Sequence, residues 1–129
     1  MKLGLVMGTG GAKVEIDMDL VMEAEDLGFD SVWTSEAWGS DAISTASWIL
    51  ARTTKIKVGT GIIQMSARTP AMAAMTAMTL QQLSGNRFIL GIGPSGPQVI
   101  EGWHGEAYGR PLTRTREYIE IIRKILARE

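Results

Sequence analysis

One carboxylate in this sequence stands where it could take part in chemistry: Glu36 follows a short apolar run and is flanked by Trp33 and Trp38. An apolar setting suits a carboxyl group to proton transfer or to a hydrogen bond with a heterocycle. Acids at such positions also serve as helix caps or ion-pair partners. The residue types alone leave both roles open.

Glycine-rich segments follow three apolar runs. Gly59-Thr60-Gly61 interrupts a β-branched run, which marks either a bulge or a place where a ligand approaches the backbone. Residues 91–97 hold three glycines, two prolines and a serine, whose backbone N–H groups and hydroxyl suit an anion. The glycines at 8, 10 and 11 could also approach a phosphate. However, Lys13 stands where the dinucleotide-binding pattern needs its third glycine, so a simple turn is favoured there.

Other kinds of chemistry find little support. His104 is the only histidine and there is no cysteine, so the sequence predicts no metal site and no thiolate chemistry. A lone loop histidine is more often a surface or packing residue than a base. The net charge of −1, with 45% hydrophobic and 21% charged residues, indicates neither a nucleic-acid nor a membrane partner. The first apolar run is too short for a signal peptide, so a cytoplasmic location is expected.

Apolar runs alternate four times with amphipathic stretches, which predicts four strand–helix units. The predicted strands cover residues 2–7, 31–34, 56–63 and 88–92, and the predicted helices cover 14–27, 42–52, 70–83 and 113–128. Gly28 is expected to end the first helix, Asp41 to cap the second, and Thr69-Pro70 to start the third. A loop of residues 93–111 precedes the last helix. No linker divides residues 1–129, so they form one domain.

Strands that are continuously apolar are typical of a parallel sheet covered by helices. Two architectures fit four units: a small open, doubly wound sheet that binds a nucleotide, or the (βα)4 half of a (β/α)8 barrel. Four strands cannot close a barrel, so the half barrel would expose two sheet edges and an apolar inner face. We therefore expect the half barrel to pair with a second copy of itself.

Three segments favour the half barrel because they resemble the luciferase-like monooxygenase superfamily. They are LGFDSVWTSEAWGSD, KVGTGIIQMSARTPAMAAMTAMTLQQLSGNRFILGIGPSGPQVIEGWHG and RPLTRTREYIEIIRKILARE. Within that superfamily they are most similar to the branch that depends on coenzyme F420, a deazaflavin, which includes methylenetetrahydromethanopterin reductase-like proteins. The resemblance implies a (β/α)8 barrel with the cofactor at the carboxyl end of its strands.

The resemblance also implies roles for particular residues. A non-proline cis peptide in a bulge of the third strand would support the cofactor ring, and the matching pair is Gly61-Ile62, with Gln64 just beyond. The loop after the fourth strand would hold the phosphate-bearing chain of the cofactor. The matching residues of that loop are Gly93, Pro94, Ser95 and Gly96. Glu36 matches the acid that lines the ring site and would polarise or protonate there.

The sequence departs from the family's pattern in two ways. Ala37 stands where several deazaflavin enzymes have a histidine, which excludes a histidine acid or base at that position. The chain also ends after the fourth unit, so the family's second half is missing. Two hypotheses follow: a homodimer that binds F420 or FMN and transfers hydride, or an inactive half barrel that only folds and self-associates.

Overall fold

The structure, a computed structural model, describes residues 1–8 and 13–129. The strands are β1 (Gly4–Val6), β2 (Ser31–Thr34), β3 (Lys57–Thr60), β4 (Ile63–Gln64), β5 (Phe88–Ile89) and β6 (Ile92–Gly93). The helices are α1 (Met18–Asp26), α2 (Ala42–Arg52), α3 (Pro70–Leu83), α4 (Pro97–Ile100) and α5 (Pro111–Ala127), with a 3₁₀ turn at Met65–Ala67.

The strand order separates the two predicted architectures. The larger sheet has the order β1-β2-β3-β5 and the smaller one pairs β4 with β6; every pairing is parallel. Each successive unit therefore adds its strand at the same edge. A doubly wound sheet reverses its strand order at a switch point, whereas barrel strands follow one another around the ring. The open nucleotide-binding alternative is wrong, and the half-barrel fold class is confirmed.

The described helices that contact the main sheet pack on one of its faces. Val32, Val58 and Phe88 point to the same side, where they form a buried cluster with residues of α1, α2 and α3. Strand side chains alternate between faces, so only every second residue of β2 and β3 enters this core.

The opposite face of the sheet carries the half-buried indole of Trp33. The Trp33 Nε1–H donates to Ser31 Oγ at 2.9 Å, which holds the ring along β2. Neighbouring strands have glycines beside it: a Cβ at Gly59 would come within 2.5 Å of the ring, and one at Gly4 within 3.2 Å. The two glycines therefore make room for a side chain that covers three strands.

Two of the four predicted helices have their predicted bounds, and the other two differ, mainly at their starts. The structure confirms the bounds 42–52 and 70–83 and the N-caps Asp41 and Thr69. Helix α1 begins at Met18 rather than at residue 14, because the Asp17 side chain accepts the backbone N–H of Leu20 and starts the helix there. Helix α5 begins at Pro111, and Gly28 has the expected positive φ of 78°.

The predicted third and fourth strands are each divided in two. Residues 61–62 separate β3 from β4, and residues 90–91 separate β5 from β6. The predicted loop 93–111 also contains the short helix α4. Of the glycine-rich loop expected after the first strand, residues 9–12 lie outside the described residues. Across residues 1–8 and 13–129, every helix is too short or too polar to span a bilayer.

A buried carboxylate on α1 holds the chain that leads into β3. Glu25 Oε1 accepts the backbone N–H groups of Thr54, Lys55 and Ile56 at 2.5–2.9 Å. Burial by itself raises the pKa of Glu25, but these three hydrogen bonds and the charge of Arg87 outweigh it and hold the pKa below its usual value. The ionised carboxylate therefore stabilises the fold.

This lowered pKa predicts acid-sensitive stability. Because the folded pKa lies below the unfolded one, the contribution of Glu25 is present above pH of about 4.3 and is lost as pH falls through the folded pKa. We expect Glu25→Gln to lower the free energy of unfolding at pH 7 by about 1–3 kcal/mol and to flatten its decline below pH 5. Urea unfolding across this pH range measures both effects. Glu23→Gln, a change at an exposed neighbouring residue, is the control. If the free energy of unfolding of Glu25→Gln fell with pH in parallel with that of wild type, the prediction would be contradicted.

Candidate functional site

The smaller sheet brings the two predicted cofactor-binding segments together. The bulge segment (residues 61–64) ends in β4, and the strand-end loop (residues 93–96) begins at the end of β6. These strands are paired in register, with Ile63 opposite Ile92 and Gln64 opposite Gly93. Both segments therefore lie at the carboxyl edge of the sheet, where parallel α/β folds bind their ligands.

The bulge segment has the backbone form that the resemblance implies. The peptide bond between Gly61 and Ile62 is cis. The N–H of Gly61 donates to the carbonyl of Thr34 at 2.6 Å, and the N–H of Ile63 donates to the carbonyl of Gly91 at 2.9 Å. The bulge is thus tied to β2 on one side and to the chain before β6 on the other.

Two glycines at this edge have different surroundings, as a Cβ added at each position shows. A Cβ at Gly61 would meet Trp33 at 3.6 Å and no other heavy atom of the described residues within 4 Å. A Cβ at Gly93 would approach Ile62 Cδ1 to 2.9 Å, so Gly93 allows the Ile62 side chain to lie over the strand-end loop. The bulge therefore presents an open glycine on one side and a packed isoleucine on the other.

The strand-end loop has backbone N–H groups that are available to a ligand. Ser95 has a left-handed backbone with φ of 58°, a conformation found in loops whose N–H groups bind anions. Its carbonyl accepts the hydroxyl of Tyr108 at 3.1 Å, which holds the loop in place. In the described part of the chain, the backbone N–H groups of Ser95 and Gly96 donate to no protein acceptor. These observations fit a phosphate-bearing ligand.

Glu36 lies beside the bulge, and its carboxylate is occupied by donors of the chain itself. Oε1 accepts the backbone N–H of Gln64 at 2.7 Å, and Oε2 accepts that of Ala42, the first residue of α2, at 2.9 Å. The guanidinium of Arg68 donates to both oxygens, at 2.6 and 3.1 Å. The Glu36 side chain is only 7% exposed. This bonding pattern suits a residue that holds the bulge in place better than one that donates a proton.

Arg68 extends the same network to the cap of α2. Its Nη2 lies 3.7 Å from Oδ1 of Asp41, whose carboxylate also accepts the N–H of Ser44. Burial raises the pKa of Asp41, but the hydrogen bonds from Ser44, the charge of Arg68 and the N–H of Ile43 together hold it below its usual value. Arg68 gave no signal in the sequence, because its partner Glu36 lies 32 positions away.

His104 is the second residue that sequence reasoning underestimated. Its Nε2 lies 2.5 Å from the side-chain oxygen of Gln64. His104 also borders a cavity of about 150 Å³ whose other walls include Trp38, Trp103 and Glu36. The sequence favoured a surface or packing role for this histidine, whereas the fold carries it to the bulge.

Sequential parallel strands, helices on one face and a bulged site at the carboxyl edge define a protein of the (β/α)-barrel class. The sequence matches the luciferase-like monooxygenase family over residues 3–129, and the chain belongs to this family.

Individual relatives agree with that assignment. A Mycobacterium tuberculosis protein named as a candidate coenzyme F420-dependent oxidoreductase is 55% identical over 130 residues, which is 100% of this chain and 38% of that protein. The coenzyme F420-dependent tetrahydromethanopterin reductase of Methanopyrus kandleri matches with a TM-score of 0.78 and 26% identity, over 95% of this chain and 39% of that one.

A flavin enzyme shares the fold. The oxygenating component of 3,6-diketocamphane monooxygenase from Pseudomonas putida, solved with FMN, matches with a TM-score of 0.82 and 22% identity, over all of this chain and 40% of that one. The chain thus spans about two fifths of the length of each of these proteins.

Proposed function

We propose that this chain forms the cofactor-binding half of a flavin-type oxidoreductase, with coenzyme F420 as the cofactor and FMN as the alternative. The observation that carries the proposal is the pairing of β4 with β6, because it sets the cis bulge directly beside the strand-end loop. The relative that is 55% identical over the whole chain is named for coenzyme F420, which favours the deazaflavin.

The residues of this edge divide the binding of such a cofactor between them. Gly61 and Ile62 would lie against the ring, with Gln64 behind them. The N–H groups of Ser95 and Gly96 would bind a phosphate, and Gly93 and Pro94 would shape the loop that presents them. When bound, the cofactor supplies hydride transfer at C5 of its ring, or at N5 in a flavin. A direct role of Glu36 in polarising the ring stays a prediction, as does the cytoplasmic location.

Titration of the purified chain with F420 and with FMN tests this proposal, with cofactor fluorescence as the signal. We expect saturable binding to at least one of them. Ser95→Asp places a negative charge in the loop and is expected to weaken binding of FMN at least about fivefold, since like charges a few ångströms apart repel by about 1 kcal/mol or more. Riboflavin, which lacks the phosphate, should be affected less.

Asn86→Asp is the matched control. Asn86 also has a left-handed backbone, with φ of 66°, and it precedes β5 at the opposite edge of the sheet. Adding the same charge there should leave binding of FMN unchanged. Absence of saturable binding to both cofactors would overturn the proposal and favour the alternative, a half barrel that folds and self-associates without a cofactor.

We also propose that a second copy of the chain covers the two open ends of the sheet. Val6 of β1 is 73% exposed, and Met78 of α3, the helix that packs against β5, is 36% exposed. At the β5 end, Met78 lines a groove of about 390 Å³ together with residues that include Phe88 and Leu126. A twofold axis would set β1 of each copy beside the last strands of the other and so protect both edges.

Light scattering tests the pairing. The 129-residue chain should have twice its mass of 14.0 kDa. Val6→Lys and Met78→Lys should each shift the protein toward the monomer, because each places a charge in an apolar contact that occurs twice. Ala51→Lys, on the exposed side of α2, is the control. A well-folded monomer at micromolar concentration would contradict the proposed dimer.

A further inference from the structure

The side chain of Gln64 is the most fully buried amide near the site. It is 1% exposed, at the end of β4 and next to the cis bulge. A buried amide is costly unless its donors and acceptor are paired. Its backbone N–H donates to Glu36, and its Nε2 donates to the carbonyl of Ala37 at 3.1 Å. The side-chain oxygen then needs a donor of its own.

His104 supplies that donor. Because Nε2 of Gln64 faces a carbonyl, the orientation of its amide is determined, and the oxygen must face Nε2 of His104. That oxygen only accepts, so the imidazole proton lies on Nε2. Without His104, the buried oxygen of Gln64 would have no protein donor within the described part of the chain.

The segment that carries His104 is continuous with the strand-end loop. The backbone N–H of His104 donates to the carbonyl of Val99 at 3.1 Å, which closes the end of α4. A few residues further on, Tyr108 binds the carbonyl of Ser95. The loop is thus attached to the segment 99–108, and the imidazole attaches this segment to the bulge.

We propose, resting on the function proposed above, that His104 is a positioning residue for the cofactor site. Through the amide of Gln64 it holds the bulge beneath the ring and the phosphate-binding loop in one relative geometry. The β4–β6 pairing sets the two backbones side by side, and His104 adds a side-chain bond between them across 40 positions of sequence.

Three variants in the 129-residue chain test this role. His104→Phe keeps an aromatic ring but removes the N–H donor, whereas His104→Gln keeps an N–H donor. Glu106→Gln, at an exposed position of the same segment, is the control. We expect His104→Phe to weaken binding of FMN or F420 about tenfold, as for loss of a hydrogen bond to a buried group. His104→Gln should restore most of the affinity, and Glu106→Gln should change nothing.

A readout without cofactor separates this inference from the proposed function. In protein labelled with ¹⁵N at its four glutamines, the side-chain NH₂ of Gln64 is assigned by its loss in Gln64→Leu. We expect its hydrogen exchange to be slow in wild type and in His104→Gln, and at least tenfold faster in His104→Phe.

The outcomes are distinct. One outcome is that wild type binds neither cofactor while the hydrogen exchange of Gln64 still depends on His104. In that case the proposed function is overturned, and with it the positioning role of His104, although the hydrogen bond between His104 and Gln64 is supported. If wild type binds a cofactor, and His104→Phe leaves both its affinity and the exchange of Gln64 unchanged, the inference on His104 is overturned while the proposed function remains. Equal loss of affinity in His104→Gln and His104→Phe would also overturn the inference on His104, because affinity would then not depend on an N–H donor at residue 104.

Discussion

Replacing Glu36 with alanine is expected to lower the free energy of unfolding by about 3–5 kcal/mol, the cost typical of breaking a buried ion pair on one side. Arg68, whose side chain is 18% exposed, would lose its bidentate partner. The backbone N–H groups of Gln64 and Ala42 would lose their acceptor at the same time. Urea unfolding monitored by far-UV circular dichroism measures the change.

Two further variants show whether the loss comes from the network. Arg68→Ala combined with Glu36→Ala should cost less than the sum of the two single changes, because residues in one hydrogen-bond network are not additive. Glu120→Ala, at an exposed position of α5, removes a carboxylate without known partners in the described residues and should change stability by less than about 0.5 kcal/mol. A Glu36→Ala protein as stable as this control would show that the ion pair contributes little.

Replacing Gly91 with alanine is expected to have the second-largest effect, a loss of about 3 kcal/mol or more, because overpacking forces the backbone to move. A Cβ at residue 91 would stand 1.8 Å from the carbonyl oxygen of Thr60. The Thr60 hydroxyl also accepts the N–H of Gly91 and donates to its carbonyl, at 2.9 and 2.8 Å. The methyl group would therefore separate the third and fourth units where they meet at the bulge.

Gly8→Ala is the matched control for this change. An added Cβ there has no described heavy atom within 4 Å, so the substitution should be tolerated. Because Gly91 accepts the N–H of Ile63, Gly91→Ala should also weaken cofactor binding in the titration, whereas Gly8→Ala should not. Similar unfolding curves for the two variants would contradict the close approach of the strands at Thr60.

Local signals account for the parts of this fold that the sequence predicted well. Asp41 and Thr69-Pro70 start α2 and α3 through bonds to residues only three positions away, so both helices were predicted at their observed bounds. The four strand–helix units follow from the alternation of apolar runs with amphipathic stretches. The glycine and proline content marked residues 59–61 and 91–97 as candidate segments, and the family resemblance added the cis peptide and the roles of these segments in cofactor binding.

The role of Glu36 could not be decided from the sequence. Its type and its place after β2 marked it as a candidate, but both a catalytic and a structural role fitted. The donors that occupy it come from residues 42, 64 and 68, three places that meet only when α2, β4 and the 3₁₀ turn pack together. The same holds for His104, whose partner Gln64 lies on another unit of the fold.

The sequence by itself determined that this protein has four strand–helix units, where α2 and α3 start, and which glycine-rich segments and single acid could serve a site. Those features depend on hydrogen bonds and periodicities within a few residues. Only the tertiary structure decided that the strands follow one another in order, that the bulge pairs with the strand-end loop, and that Glu36 is held by Arg68. These depend on contacts between residues tens of positions apart, which chain packing alone brings within bonding distance.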